Sequence, residues 1–332
     1  MRYDFCSRRL HDEYAVSGKW TFGVYKSFID ESGIEGLPTC VVAGYVGIST
    51  QFDRLALEWE KVLCKYDMLD EGFHSKEFYH PSQSSKVFGW SSTKREDFID
   101  DLVDVINDRK VWLIGCGIDC IAFECLTEDE KRHLTGGVFD GKRGKWILSG
   151  KPTAPYMLAL RSTLENAVHH TPRRDQCFPV MDRQEQYEGY AREMYDWMLD
   201  GRMLVKNKER LGDPISFLSR KKFLQLQAAD LAAYHTFQFA LERRVNRYSK
   251  PTGVFKRLVT RLSSMKDLKF VTAADLPKLL AQFRPFIEHW ETERLLRATR
   301  LHWPSGHKTS DCTIIGIVDE GGNYHQVEGQ DI

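Results

Sequence analysis

Three acidic residues stand where the surrounding pattern is apolar. Asp30 closes the run TFGVYKSFI, Asp182 closes CFPVM, and Asp230 sits inside LQLQAADLAAY. A carboxylate taken out of water needs a partner, a proton or a cation. Acids drawn from distant parts of a chain suit hard divalent cations, which take oxygen ligands and keep several waters. Two such ions about 4 Å apart can clamp the attacking and leaving oxygens of phosphoryl transfer. Each acid also has a plainer reading. Asp230 shares a helix face with Gln227 and Tyr234 and could be a core Asp bonded to Tyr234 or to an arginine. Asp182, followed by Arg183-Gln184-Glu185, fits a helix N-cap with its capping-box glutamate. Asp30 could simply end a strand in water, and Glu31 beside it must face the other way if the strand persists.

FHSKEF adds His74 and Glu77 at a spacing of three, or else forms a surface turn. Nucleophilic alternatives are weak: there is no GxSxG elbow, P-loop or GxGxxG. His169-His170, at a predicted helix end, reads as surface. None of the eight cysteines is spaced as CxxC. Cys116, Cys120 and Cys125, along one predicted strand, read as buried thiols and not as a zinc site.

The elements that must position these groups follow from periodicity. Residues 20–31 and 39–49 read as strands of a hairpin, joined by ESGIEGLP. An amphipathic helix is predicted over 51–66 and another over 93–109, the latter opened by a Thr93/Glu96 capping box. Its outer face holds Glu96, Asp97, Asp100, Asp101 and Asp104 and reads as solvated. Then come a strand over 111–123, a Gly-rich loop, a helix over 155–170, a strand over 176–182 and a helix over 185–200. A short strand PISFLS and a long apolar helix over 221–244 follow. The chain is predicted helical to about residue 299, with a closing hairpin over Gly321 and Gly322. Hairpin strands followed by alternating strands and helices predict an α/β domain with a mixed sheet. In such sheets, sites form where loops leave the strand ends.

The 332 residues carry no net charge, but the charge is segregated: −8 over 1–200, +13 over 201–310 and −5 over 311–332. A basic segment suggests a polyanion partner, unless folding cancels the field. No run is long and apolar enough to span a bilayer, and the N-terminus has no signal-peptide core, so a cytoplasmic protein without a membrane segment is expected.

FIDESG, FHSKEF, VMD and LQLQAADLAAY, in this order, resemble the family catalogued as domain of unknown function 3800, which is grouped with RNase H-like folds. The resemblance spans about residues 22–242, and its first and last motifs carry most of the specificity. It implies an RNase H-like mixed sheet flanked by helices over 1–244, with a basic, mostly helical extension and tail over 245–332. It implies two Mg²⁺ or Mn²⁺ ions held by Asp30 on the first strand, Asp182 on a middle strand, Asp230 on the last helix, and Glu77. His74 and Gln227 would orient ligands or substrate, with Glu31 a supporting neighbour pointing away. The chain departs from the pattern in placing a helix after two strands instead of three. Arg220, Lys221 and Lys222 before the last helix, and Arg243, Arg244 and Arg247 after it, are the expected contacts to a nucleic-acid backbone. The implied activity is metal-dependent cleavage of RNA or DNA phosphodiesters. The alternatives are an inactive module of this fold that binds nucleic acid, a partner protein or a second copy, and an enzyme acting on a small phosphate ester.

Overall fold

The computed structural model describes residues 23–33, 36–135, 138–140, 145–147, 154–183, 185–200, 207–246, 248–259, 267–282, 315–318 and 324–327. In chain order the elements are β1 (Val24–Ser32), β2 (Thr39–Ile48), α1 (Ser49–Lys65), α2 (Ser75–Tyr79), α3 (Ser92–Asp108), β3 (Trp112–Asp119), α4 (Cys120–Glu124), α5 (Glu128–Thr135), β4 (Val138–Asp140) and β5 (Lys145–Ile147). There follow α6 (Pro155–His170), β6 (Gln176–Asp182), α7 (Glu188–Asp200), β7 (Ser216–Leu218), α8 (Leu224–Val245), α9 (Gly253–Val259), β8 (Leu268–Val271), β9 (Ile315–Val318) and β10 (Tyr324–Val327).

A mixed six-stranded sheet has the order β7-β6-β1-β2-β3-β8. The β1-β2-β3 meander is antiparallel, while β6 and β7 run parallel to β1 and to each other. Side chains alternate across each strand, and the two apolar faces are covered by different helices. On β2, Cys40 and Val42 pack under α6 and α7 with Tyr156, Leu160 and Tyr195. Val41 and Ala43 face α8 through Ala233, Phe237 and Ala240. The alanines of α8 let it lie close on the sheet. Gly33 helps: its φ of +76° needs no side chain, and a Cβ there would strike the Phe237 ring. Outside α8, α1 and α3 add Trp59, Leu63, Phe98 and Leu102 to a further core.

Several expectations are corrected. The capping box at Thr93/Glu96 is not used: the helix starts at Ser92, with the Ser91 hydroxyl accepting from the Lys94 N–H. The strand over 111–123 stops at Asp119, whose carboxylate caps α4 by accepting from the N–H groups of Ile121 and Ala122. The three cysteines are therefore not on one strand, and Cys125 is exposed. Of the histidine pair, His169 is exposed as expected, whereas His170 is partly buried, with Nε2 3.0 Å from Asp267 Oδ1 just before β8. The acidic outer face of α3 is exposed but cross-tied, with Arg257 on Asp100 and Asp104 and Lys65 on Asp101.

The chain from 245 onward is not a separate helical appendage. Strand β8 joins the edge of the main sheet alongside β3, and Phe255, Leu258, Val259 and Leu268 enter the same core as α1 and α3. The chain divides instead into Met1–Pro285 and Phe286–Ile332. The described part of the second unit is the antiparallel β9–β10 hairpin, with strands where the sequence places them. A chain ending at residue 244 loses β8 and α9 and bares the β3 edge, which invites aggregation. It should be insoluble or melt broadly, whereas a chain ending at 285 should melt cooperatively. Equal melting of the two by circular dichroism would contradict this division.

Candidate functional site

Three carboxylates reach one end of the sheet by separate routes. The parallel pairing of β1 with β6 runs from Val24↔Gln176 to Ile29↔Met181, so Asp30 and Asp182 come next on adjacent strands with side chains on the same face. The β1–β6 pairing ends here, and the chain leaves β1 toward β2 and β6 toward β7. Such a divergence of connections is where open α/β sheets place ligands. Asp230 arrives from above on α8, which packs on β1 and β2. All three are buried, Asp30 to 3% exposure.

Their charges act on one another. Burial pushes the Asp30 carboxyl well above the ordinary carboxylate range, and Glu31, Asp230 and Asp182 push it further. Against this stands a hydrogen bond from the Glu31 N–H at 2.9 Å. Burial also raises Asp230, opposed by His74, by the Ser75 N–H and side chain, and by Arg220. Asp230 Oδ2 accepts from the Ser75 N–H at 2.6 Å, and its Oδ1 lies 3.9 Å from His74 Nε2. Asp182 accepts from the Arg220 N–H at 3.0 Å and from the Arg220 guanidinium at 3.2 Å.

The capping reading of Asp182 is overturned, and Asp230 is a core Asp with a different partner from the one expected. Asp182 caps no helix; β6 extends to it in register with Leu218, and α7 begins only at Glu188. Asp230 is bonded to Ser75 and not to Tyr234, whose ring stacks on Tyr79. Glu31 faces opposite to Asp30, as strand alternation demands, toward Cys40 and Tyr156, which it raises together with burial. Even so, it is the strongest neighbouring charge on Asp30. Glu77 is not gathered with the other acids: its side chain is 71% exposed, with Oε1 3.1 Å from His74 Nδ1. His74 thus stands between Glu77 and Asp230.

Gln227 orients the loops and not the carboxylates. Its Oε1 accepts from Trp59 Nε1 at 3.0 Å and from the Phe73 N–H at 2.9 Å, and its Nε2 donates to the Arg220 carbonyl at 3.1 Å. One buried side chain on α8 therefore fixes both the segment leading to His74-Ser75 and the turn carrying Arg220. Gly72 is required there, since φ is +72° and a Cβ would strike Gln227 Nε2.

Of the expected backbone-binding residues, Arg220 belongs to the acid cluster itself, while Lys221 and Lys222 are exposed beside it. Arg243 and Arg244 lie 13 and 14 residues beyond Asp230, roughly 20 Å along the helix. Arg243 lies over the Phe270 ring and Arg244 faces Asp119 at 3.6 Å, so neither adjoins the carboxylates. Arg247 falls outside the described residues. The Ser75 N–H and the counter-charge from Arg220 were not expected. A backbone donor leaves no trace in sequence, although an arginine beside a buried-acid motif is a legible signal.

Among the described residues, no group of three or more His, Cys, Asp and Glu side chains stands in an arrangement that could hold a metal ion as it is. Asp182 is drawn to Arg220 and Asp230 to Ser75. The donor chemistry nonetheless suits a hard cation: the set is all-oxygen, and Asp30 is raised by its neighbours with no cation paired to it among the described residues. No helix of the described residues is long and apolar enough to cross a membrane. Comparisons with family models, with curated proteins and with solved structures found no match. A functional reading therefore rests on these residues and their geometry.

Two outcomes are expected. Gln227→Ala strands the Trp59 and Phe73 N–H groups and lowers the free energy of unfolding by about 2–5 kcal/mol, read by denaturant titration. Asp30 binds its proton more tightly folded than unfolded, so without metal its contribution to stability is fullest below about pH 4 and falls as pH rises from there. In EDTA, Asp30→Asn should therefore be more stable than wild type at neutral pH, with the gap closing as pH falls toward about 4. A gap independent of pH would contradict the raised Asp30.

Proposed function

We propose that the chain is a metal-dependent nuclease or related phosphodiesterase of RNase H-like fold. The observation that carries this is the meeting of Asp30, Asp182 and Asp230 at the diverging ends of β1 and β6, with Asp30 destabilised by its neighbours. A buried carboxyl pushed well upward by burial and by neighbouring acids, where two strand ends diverge, is a functional candidate on physical grounds. Acids on the first strand, a middle strand and the last long helix, beside a six-stranded sheet whose antiparallel β1-β2-β3 meander is flanked by the parallel-paired β6, β7 and β8, support the RNase H-like reading and the family resemblance.

Asp30, Asp182 and Asp230 would hold one or two Mg²⁺ or Mn²⁺ ions. What the ions supply when bound is a water acidic enough to attack at neutral pH and positive charge beside the attacking and leaving oxygens. The chain's own part is positioning and charge. Asp30, whose carboxyl burial and neighbouring acids hold well above the ordinary range, is the group whose ionised form a bound cation would favour most. The Ser75 N–H fixes one oxygen of Asp230 and leaves the other toward His74. Arg220 holds Asp182 and would stand beside an incoming phosphate, with Lys221 and Lys222 exposed to meet the flanking backbone. Glu77, exposed on the rim with Oε1 3.1 Å from His74 Nδ1, would orient that histidine and not enter the core ligand set.

A second reading is an inactive module of the same fold that binds nucleic acid. It is favoured by the bonds that already satisfy Asp182 and Asp230 within the protein.

Cleavage should be assayed on single-stranded, duplex and hybrid substrates with Mg²⁺, Mn²⁺ and EDTA. The expected result is cutting that requires metal and falls by more than about 100-fold in Asp30→Asn and in Asp230→Asn, beyond the loss typical of an outer-shell partner. Cutting that survives EDTA would falsify the metal dependence. Salt-sensitive binding with no cutting under any condition selects the binding module.

A further inference from the structure

A parallel pair of tyrosines borders the carboxylates. Tyr234 lies one turn past Asp230 on the same face of α8, and Tyr79 lies one turn past Ser75, whose N–H holds Asp230. Their rings stack with centroids 4.6 Å apart and planes 5° apart. His235 braces both: its ring stands edge-on to each at 5.4 Å, and its Nε2 lies 2.8 Å from the Tyr79 hydroxyl. Burial pushes His235 down to about 4, which keeps the brace neutral at physiological pH. The neighbouring rings of Phe73, Phe78, Trp90 and Phe98 meet tilted or edge-on, with the phenylalanines in the buried core. The tyrosines instead are half-buried and face-parallel, held at the edge of that core.

We propose that Tyr234 and Tyr79 form a stacking platform for an unpaired nucleobase, so that the site takes single-stranded or locally unpaired nucleic acid. This rests on the nucleic-acid reading above and names its substrate class. A base inside a duplex has both faces covered by its neighbours, so only an unpaired base can lie on an aromatic ring. Side chains at i and i+4 stand roughly 6 Å apart at Cβ. A base on Tyr234 would therefore belong to the same strand as a phosphate at Asp230, within about one nucleotide step. Aromatic rings near cations are the combination that binds single strands without reading their sequence, and Arg220, whose charge acts on Asp230, supplies a cation on this side of the site. The bracing by His235 fixes the platform before a strand arrives, so little order is lost on binding.

The test is binding at one fixed salt concentration, in the Asp30→Asn background with Mg²⁺ so that strands are not consumed. The probes are a fluorescent oligothymidylate, an abasic strand of the same length and a blunt hairpin duplex. Tyr234→Ala should weaken oligothymidylate binding roughly 5- to 100-fold and leave the abasic strand unchanged, while Tyr234→Phe keeps most of the affinity. Equal losses on the base-bearing and abasic strands, no loss on either, or a preference for duplex would overturn the platform. The parent reading fails separately. Cleavage by the unaltered protein with no Tyr234 effect removes the platform and keeps the nuclease. Base-dependent binding by a protein that never cuts removes the nuclease and keeps the platform. Binding to none of the probes removes both.

Discussion

The structure turns on the burial of like charge where β1, β6 and α8 meet. Asp30 lies between Asp182 and Asp230 and has Glu31 as its chain neighbour, all at least partly withdrawn from water. Desolvation and mutual repulsion act in the same direction, so no rearrangement of the carboxylates alone relieves both. The fold responds with donors that cannot move far. Ser75 offers a backbone N–H to Asp230, and Arg220 offers a backbone N–H and a guanidinium to Asp182. Among the described residues, Asp30 receives only the N–H of its own neighbour. The imbalance is therefore concentrated at the central acid.

Those donors sit on irregular segments, and irregular segments need anchoring. Gln227 provides it from the same helix that carries Asp230, three residues earlier. Its bonds to Trp59, Phe73 and Arg220 link α1, the approach to α2 and the turn after β7. The helices inserted between β2 and β3 thus do more than lengthen the chain. They supply Trp59, the aromatic core under Phe73 and the short helix that presents Ser75. The strand order is unaffected by the insertion, because β3 returns to pair with β2 in antiparallel register.

Much of this was legible. The hairpin, β6 and α8 follow from apolar runs broken by single acids, and those acids mark the strand ends and helix face that meet. The misses have physical causes. The 111–123 run continues apolar past Asp119, so periodicity alone could not see that Asp119 caps a helix. The segment LKFV is short and follows a basic stretch, and its strand character comes from the open edge of β3 and not from its own pattern. Glu77 and His74 share a spacing that suggests joint ligation, but a five-residue helix turns Glu77 outward. Arg220 was assigned to a substrate because charge patterning cannot distinguish an external anion from an internal one.

That ambiguity over Arg220 bears on how the site is maintained. A buried ion pair is weak evidence for stability, since desolvation offsets much of its attraction. Apolar residues in place of Asp182 and Arg220 would cost the fold little, and an apolar residue in place of Asp30 would relieve it. The pair and the central acid therefore make poor sense as scaffolding. They make sense together as a partly neutralised acidic pocket, in which Arg220 limits the repulsion on one flank and leaves Asp30 uncompensated. A carboxyl whose charged form is disfavoured in this way is one that an added cation would stabilise in that form, and strain of this sort persists where function opposes stability.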